Sequence, residues 1–127
     1  MKTMADDDRR REIRYPIHLD VTVVTQHAIS ASAVATEISG DGIRINTAKA
    51  ILPETQVVVF IPLTEEVKFR GKVLWILEKS ERGLTVYQIG IQTDSIIVPD
   101  REAVDFSDRV ELVQEILHRI QTSAPRA

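Results

Sequence analysis

The chain is built largely from short segments in which apolar and polar residues alternate, with turn-forming residues between them. Ile17, Leu19, Val21 and Val23 share one face of the first segment, as expected for a strand that is buried on one side. Four further strands are predicted near residues 30–38, 43–46, 67–75 and 86–92. The apolar run 57–61, bounded by Pro53 and Pro62, predicts another strand, buried on both faces. Because no helical period interrupts them, we expect a mainly β fold, with six antiparallel strands in a closed or nearly closed barrel.

The C-terminal segment follows a helical period instead. Its apolar residues recur at steps of three and four, and Leu112 and Ile116 widen the stripe formed by Phe106, Val110, Val113, Leu117 and Ile120. We therefore predict an amphipathic helix that begins near Pro99-Asp100 or after Asp105. The width of the stripe favours packing on a barrel, either that of the same chain or that of a dimer partner.

These patterns predict three parts. They are a disordered head over residues 1–8, a barrel domain with an arginine-bearing arm over residues 9–98, and a helix with a tail over residues 99–127. With 127 residues, of which 43% are hydrophobic, the chain is long enough for one domain with its own core.

Composition restricts the functional class. The net charge of −3 argues against binding to DNA or RNA, which requires a clustered positive surface. The sequence has no cysteine, and its three isolated histidines form no recognisable metal or catalytic set, so we expect neither a metal site nor an enzyme. No apolar run approaches the ~20 residues that span a bilayer, and the start of the chain lacks the apolar stretch of a signal peptide. We expect a cytoplasmic protein without membrane insertion.

Four arginines lie close together before the first strand, at positions 9, 10, 11 and 14. Arg10 and Arg14 have the spacing R-x-x-x-R. Each guanidinium is a planar fork of donors that can hold a phosphate, or the O6 and N7 acceptors of guanine, with two hydrogen bonds. The alternative is a solvated terminus whose charges are balanced by Asp6–Asp8.

A second motif, E-x-S-x-x-G, runs from Glu37 to Gly42, far enough downstream to leave room for one hairpin. Ser39 can donate to a phosphate oxygen. Gly40 and Gly42 allow unusual backbone conformations and close approach of a ligand, and successive N–H groups of a turn favour anions. The alternative is an ordinary Gly-Asp-Gly turn between two strands.

The two motifs, in this order on a chain that reads as a small β barrel, resemble the PilZ family of bacterial cyclic di-GMP receptors. The family signature is R-x-x-x-R, then D/N-x-S-x-x-G, then a strand with a glycine followed by valine or isoleucine, which Gly90-Ile91-Gln92 matches. The resemblance covers residues 9 to 94. It implies a six-stranded PilZ-like barrel with a C-terminal helix, cyclic di-GMP as the ligand, no cofactor, and an unidentified protein partner in motility, pili, biofilm or related signalling.

By this resemblance Arg10 and Arg14 hold the phosphates and a guanine, and neighbouring arginines assist them. The ligand-binding residues that it implies are Arg9, Arg10, Arg14, Glu37, Ser39 and Gly42. Trp75 and Phe69 share a predicted strand face, and we assign both to the core.

The sequence departs from the family at Glu37, where relatives have Asp or Asn. The extra methylene moves the carboxylate, and a misplaced polar contact in a binding site costs about 1–3 kcal/mol. Two functions therefore remain open: a cyclic di-GMP receptor, and a ligand-independent interaction module with a degenerate nucleotide site.

Overall fold

Burial alternates along the strands, and this alternation accounts for the barrel. It alternates between buried and half-buried residues over 57–61 too, a segment that was expected to be buried on both faces. The computed structural model describes residues 13–123; the predicted disordered head lies outside this range. In order, the elements are β1 (Tyr15–Thr25), β2 (Ser30–Ile38), β3 (Gly42–Thr47), β4 (Gln56–Pro62), β5 (Glu66–Glu81), β6 (Leu84–Val98), β7 (Arg101–Ala103) and α1 (Phe106–Ser123).

The sheet has the order β3-β2-β1-β4-β5-β6-β7, and every pairing is antiparallel. An additional pairing of β3 with β6 joins the two ends of the six-stranded part and closes it into a barrel. The prediction of a six-stranded antiparallel barrel with a C-terminal helix is thereby confirmed. The short strand β7 was not predicted, and it pairs only with the end of β6.

Aliphatic side chains from all six barrel strands fill the interior, together with one aromatic ring. Val23, Val59, Phe69 and Ile89 are each fully buried there. The placement of Phe69 in the core is confirmed.

The β5–β6 hairpin continues well beyond the predicted strands. The two strands pair as far as Glu81 and Leu84, around a two-residue turn in which Arg82 and Gly83 have φ values of 53° and 78°. Positive φ at both central residues is what a type I′ turn requires, and the twist of this turn matches that of the flanking strands. Most side chains in the added part are exposed, so the sequence there lacks the alternation of apolar and polar residues that predicts a strand.

Helix α1 begins directly after Asp105, one of the two predicted starting points. Its most buried side chains, Leu112, Val113 and Ile116, belong to the same hydrophobic cluster as the barrel core. The helix thus packs on the barrel of its own chain. Leu112 and Ile116, expected at the margin of the apolar stripe, are at its centre.

Among the described residues, three ion pairs connect α1 to the rest of the fold, and one of them joins Arg109 to Asp41. Arg119 Nη1 lies 3.4 Å from Glu65 Oε1, and Arg101 pairs with Glu115. The hydrogen bond and charge of Glu115 raise the pKa of Arg101. Within residues 13–123, no helix combines the length and the apolar character that a membrane crossing demands.

Candidate functional site

The second sequence motif lies in the wall of a pocket of about 320 Å³ between the β2–β3 turn and the strands β5 and β6. Arg14, Glu37, Ser39 and Gly42 all line this pocket, so the fold brings together four of the six predicted ligand residues. The remaining two, Arg9 and Arg10, lie outside the described residues. The role of all six toward a ligand stays a prediction.

The turn between β2 and β3 is held by the hydroxyl of Ser39. Ser39 Oγ accepts hydrogen bonds from the backbone N–H groups of Asp41 at 3.2 Å and Gly42 at 3.1 Å, and the N–H of Ser39 donates to the carbonyl of Gly42 at 2.9 Å. Two turn N–H groups are thus satisfied by the serine rather than presented to an anion, contrary to the prediction. Ser39 is 5% exposed. The hydroxyl proton of Ser39 remains available as a hydrogen-bond donor to a ligand.

The glycines of the turn serve close packing. A Cβ on Gly42 would lie 2.5 Å from the carbonyl oxygen of Ile91 in β6, and a Cβ on Gly40 would lie 2.6 Å from Cγ2 of Val110 in α1. Neither glycine has a positive φ, so the expected unusual backbone conformation is wrong. Their small size lets strand β6 and helix α1 approach the turn from two sides.

Glu37 is paired across the hairpin with Arg44, a residue that the sequence motifs do not include. The two residues are register partners in β2 and β3, and Arg44 Nη2 lies 2.7 Å from Glu37 Oε1. The side chain of Glu37 is 18% exposed. Arg44 also lines the pocket, and its buried Nε has no hydrogen-bond partner among the described residues. A buried donor without a partner is unfavourable, and an acceptor on a ligand would satisfy it.

Trp75 is 41% exposed and lines the pocket, so its predicted place in the core is wrong. The cause is a bulge in β5: Val73 pairs with Ile91, but Trp75 pairs with Gly90. One extra residue in β5 turns the following side chains to the other face. The indole then lies over Gly90, where a Cβ would be 2.2 Å from Cε2.

A second residue outside the motifs, Arg109 of α1, reaches the turn from the helix. Its Nε donates to the carbonyl of Gly40 at 2.7 Å, and its Nη2 lies 3.4 Å from Asp41 Oδ1. The sequence does contain a signal for Arg109: a basic residue near the N-terminus of a helix opposes the helix dipole, which suggests another role.

The barrel has a larger pocket of about 590 Å³, and none of the described residues that line it belongs to either motif. Its lining within residues 13–123 includes Asp20 and no arginine or lysine, so these residues offer no cation to a phosphate. In the part of the chain that the structure describes, no cluster of side chains has the composition of a metal site. The smaller pocket, with Arg14 and Arg44, is therefore the better candidate.

Several solved structures share this fold. The PilZ domain of YcgR from Escherichia coli, solved with c-di-GMP, aligns with a TM-score of 0.61 at 12% identity over 90% of this chain and 93% of that chain. The PilZ domain of CeSA from a cellulose-synthesizing bacterium aligns with a TM-score of 0.54 at 18% identity over 84% of this chain and 99% of that one.

The K. pneumonia MrkH–c-di-GMP complex aligns with a TM-score of 0.57 at 19% identity over 90% of this chain and 55% of that chain. No curated protein sequence matches this chain significantly. The family model of the PilZ domain, however, matches residues 8–106, which is most of the chain and spans both motifs. With its closed barrel and the turn at the pocket, this chain belongs to the PilZ domain family.

Proposed function

We propose that this PilZ domain is a receptor for cyclic di-GMP that passes the signal to a protein partner. The observation that carries the proposal is the convergence of Arg14, Glu37 and Ser39 on one pocket that also holds Arg44 and Trp75. Two of the similar structures, those of YcgR and MrkH, contain c-di-GMP, which supports the same class of ligand here.

The chemistry of the pocket suits a guanine dinucleotide. Cyclic di-GMP carries two phosphates and two guanines, so its site needs cationic forks, an acceptor for the N1 and N2 donors, and a flat apolar surface. Arg14 and Arg44 supply guanidinium groups, Glu37 supplies a carboxylate, and the exposed ring of Trp75 supplies a stacking surface. The volume of about 320 Å³ is at the lower end of the range for ligand sites.

The Glu37–Arg44 ion pair restricts how a ligand can contact the Glu37 carboxylate. Its 2.7 Å contact engages Oε1, so a guanine edge must use Oε2, share Oε1 with Arg44 or displace Arg44. A displaced Arg44 would find a new partner in a ligand phosphate, which compensates for the broken pair. The proposal therefore gives Arg44 a ligand contact that the family motifs do not specify.

Calorimetry with cyclic di-GMP on the full chain tests the proposal. We expect a Kd in the micromolar range or tighter, about −8 kcal/mol or better, and an affinity that falls as salt rises because phosphates are held by cations. Arg14→Ala should weaken binding roughly tenfold or more, since a charge-assisted hydrogen bond is worth about 1.5–3 kcal/mol. Arg101→Ala is the matched control, because it removes the same charge outside the pocket lining.

Substitutions at Glu37 test its role separately. Glu37→Asp should hold or improve affinity, and Glu37→Ala should reduce it. Cyclic di-AMP should bind more weakly than cyclic di-GMP. Adenine lacks the N1–H and N2–H groups through which guanine donates hydrogen bonds to the carboxylate. Equal affinities of all three position-37 proteins would mean that this side chain does not touch the ligand.

One observation favours the alternative, a ligand-independent interaction module. Glu37 is already paired with Arg44, and Ser39 already caps its own turn, so the motif is internally satisfied without a nucleotide. Absence of binding heat at millimolar cyclic di-GMP would refute the receptor and leave this module as the function. In either case we propose a cytoplasmic, non-catalytic domain whose partner belongs to motility, pili, biofilm or related signalling.

A further inference from the structure

We propose that Arg109 positions the ligand turn, and that docking of α1 on the barrel is therefore coupled to occupation of the pocket. The coupling rests on the proposed receptor function; the positioning does not. The ligand turn is defined here as residues 39–42.

One guanidinium joins three segments of the fold. Arg109 Nε donates to Gly40 O at 2.7 Å, and Nη1 donates to Asp94 O at 3.3 Å and to Val104 O. Gly40 belongs to the ligand turn, Asp94 to β6, and Val104 to the segment between β7 and α1. The Arg109 side chain is 13% exposed, and its hydrogen bond to Gly40 is partly buried, which strengthens that bond.

Apolar side chains at the start of α1 also contact the ligand turn. The Cβ that Gly40 lacks would meet Val110 Cγ2 at 2.6 Å and Phe106 Cε1 at 3.2 Å, so the first turns of the helix lie directly against the ligand turn. The centroid of the Phe106 ring also lies 5.9 Å from Cζ of Arg109. Helix α1 thus holds the outer side of the ligand turn with both polar and apolar contacts.

The inner side of the ligand turn is held by strand β6. The N–H of Thr93 in β6 donates to Asp41 O at 2.7 Å, and Gly42 pairs with Gln92 of the same strand. Ser39 adds hydrogen bonds within the turn itself. The Gly40 carbonyl is held by Arg109. Without Arg109, that carbonyl loses a charged donor, and the ligand turn loses its direct polar connection to the helix.

Coupling follows by linkage. If a ligand in the pocket requires the ligand turn in this position, then whatever holds the turn raises the affinity, and the ligand in return strengthens the docking of α1 by the same factor. Typical coupling of this kind is roughly 5- to 150-fold. The C-terminal helix is then the element whose stability reports whether the pocket is filled.

The first experiment needs no ligand. Hydrogen exchange of the Asp41 and Gly42 amides is compared among the wild type, Arg109→Ala, Arg109→Lys and Arg119→Ala. Arg119 is the matched control, since its pair with Glu65 also links α1 to the barrel but does not contact the ligand turn. We expect exchange at the turn to rise about tenfold or more in Arg109→Ala and to change little in Arg119→Ala. It should be intermediate in Arg109→Lys, which keeps the charge but not the planar fork of donors. Equal exchange rates in both alanine variants would overturn the positioning role.

The second experiment measures cyclic di-GMP affinity in the same four proteins. Arg109→Ala should bind about tenfold more weakly, whereas Arg119→Ala should stay within about twofold of the wild type at a comparable loss of melting temperature. Saturating ligand should slow amide exchange along α1 in the wild type more than in Arg109→Ala. Parallel loss of affinity in both alanine variants would mean that Arg109 only stabilises the fold.

The two experiments separate the two claims. If the wild type binds no cyclic di-GMP, the receptor function and the coupling fall together, and the exchange rates still decide whether Arg109 positions the ligand turn. Should Arg109→Ala fail to fold, Arg109→Lys carries the comparison. Wild-type exchange and affinity in that variant would refute the requirement for the guanidinium fork.

Discussion

A methyl group at position 90 would lie 2.2 Å from Cε2 and 2.3 Å from Nε1 of the Trp75 indole. In Gly90→Ala the ring must therefore retreat by roughly 1 Å or more before ordinary carbon contact near 3.5 Å is restored. The indole is 41% exposed, so it can swing toward solvent without displacing the core. Overpacking of this kind typically costs about 1–3 kcal/mol, and the open side of the ring places the expected loss near 1–2 kcal/mol.

Gly83→Ala provides a control with a similar loss and a different cause. Gly83 has a φ of 78° and nothing within 4 Å of its missing Cβ, so alanine there brings backbone strain of about 1–2 kcal/mol and no clash. The chain has one tryptophan, so its fluorescence reports on Trp75 alone.

Urea unfolding gives the two free energies, and the emission maximum of the folded proteins gives the ring environment. We expect a red shift and weaker binding of cyclic di-GMP in Gly90→Ala, with neither change in Gly83→Ala. An unshifted emission maximum in Gly90→Ala would refute the contact between ring and glycine. A loss above about 4 kcal/mol would show that the core, rather than an exposed ring, has to yield.

Two further substitutions test the packing of the helix and the ligand turn. Ile116→Ala should lower the free energy of unfolding by about 2–5 kcal/mol, because the side chain is fully buried between α1 and the barrel. Chemical denaturation measures this loss. As a control, Gln114→Ala, at an exposed position of the same helix, should stay within about 0.5 kcal/mol of the wild type. Ser39→Ala should cost about 1–3 kcal/mol in the same assay, since it leaves two backbone donors of the turn without their acceptor, and a smaller loss would mean that the hydroxyl does not hold the turn.

Alternation of apolar and polar residues identified barrel strands because each has one face on the core, and an apolar run between prolines identified β4. The same signal fails where that condition fails. Strand β7 has three residues, too few to show a period, and the outer part of the β5–β6 hairpin is solvated on both faces. Trp75 was misplaced for a related reason: a period of two assumes an unbroken register, and the bulge after Val73 interrupts it.

The motifs located one wall of the candidate site and missed residues that only the tertiary fold brings there. Arg44 becomes a partner of Glu37 once the hairpin register is known, because the two face each other across β2 and β3. Arg109 is sixty-nine positions from Gly40 in the chain, and no local pattern connects a helix residue with a turn so distant. The glycines were recognised as significant, but their reason, close packing against β6 and α1, depends on those neighbours.

Closure of the barrel by β3 and β6 also governs when the pocket comes into existence. The pairing of Gly42 with Gln92 joins the two walls, and contacts so remote in sequence form slowly because a long loop must first be ordered. A chain with the barrel still open has no such pocket, so any ligand recognises the finished fold alone. Such a ligand adds stability by mass action, about 2.7 kcal/mol at a hundredfold excess over Kd. If the proposed nucleotide binds, its concentration would also set the fraction of molecules that are unfolded and open to proteolysis.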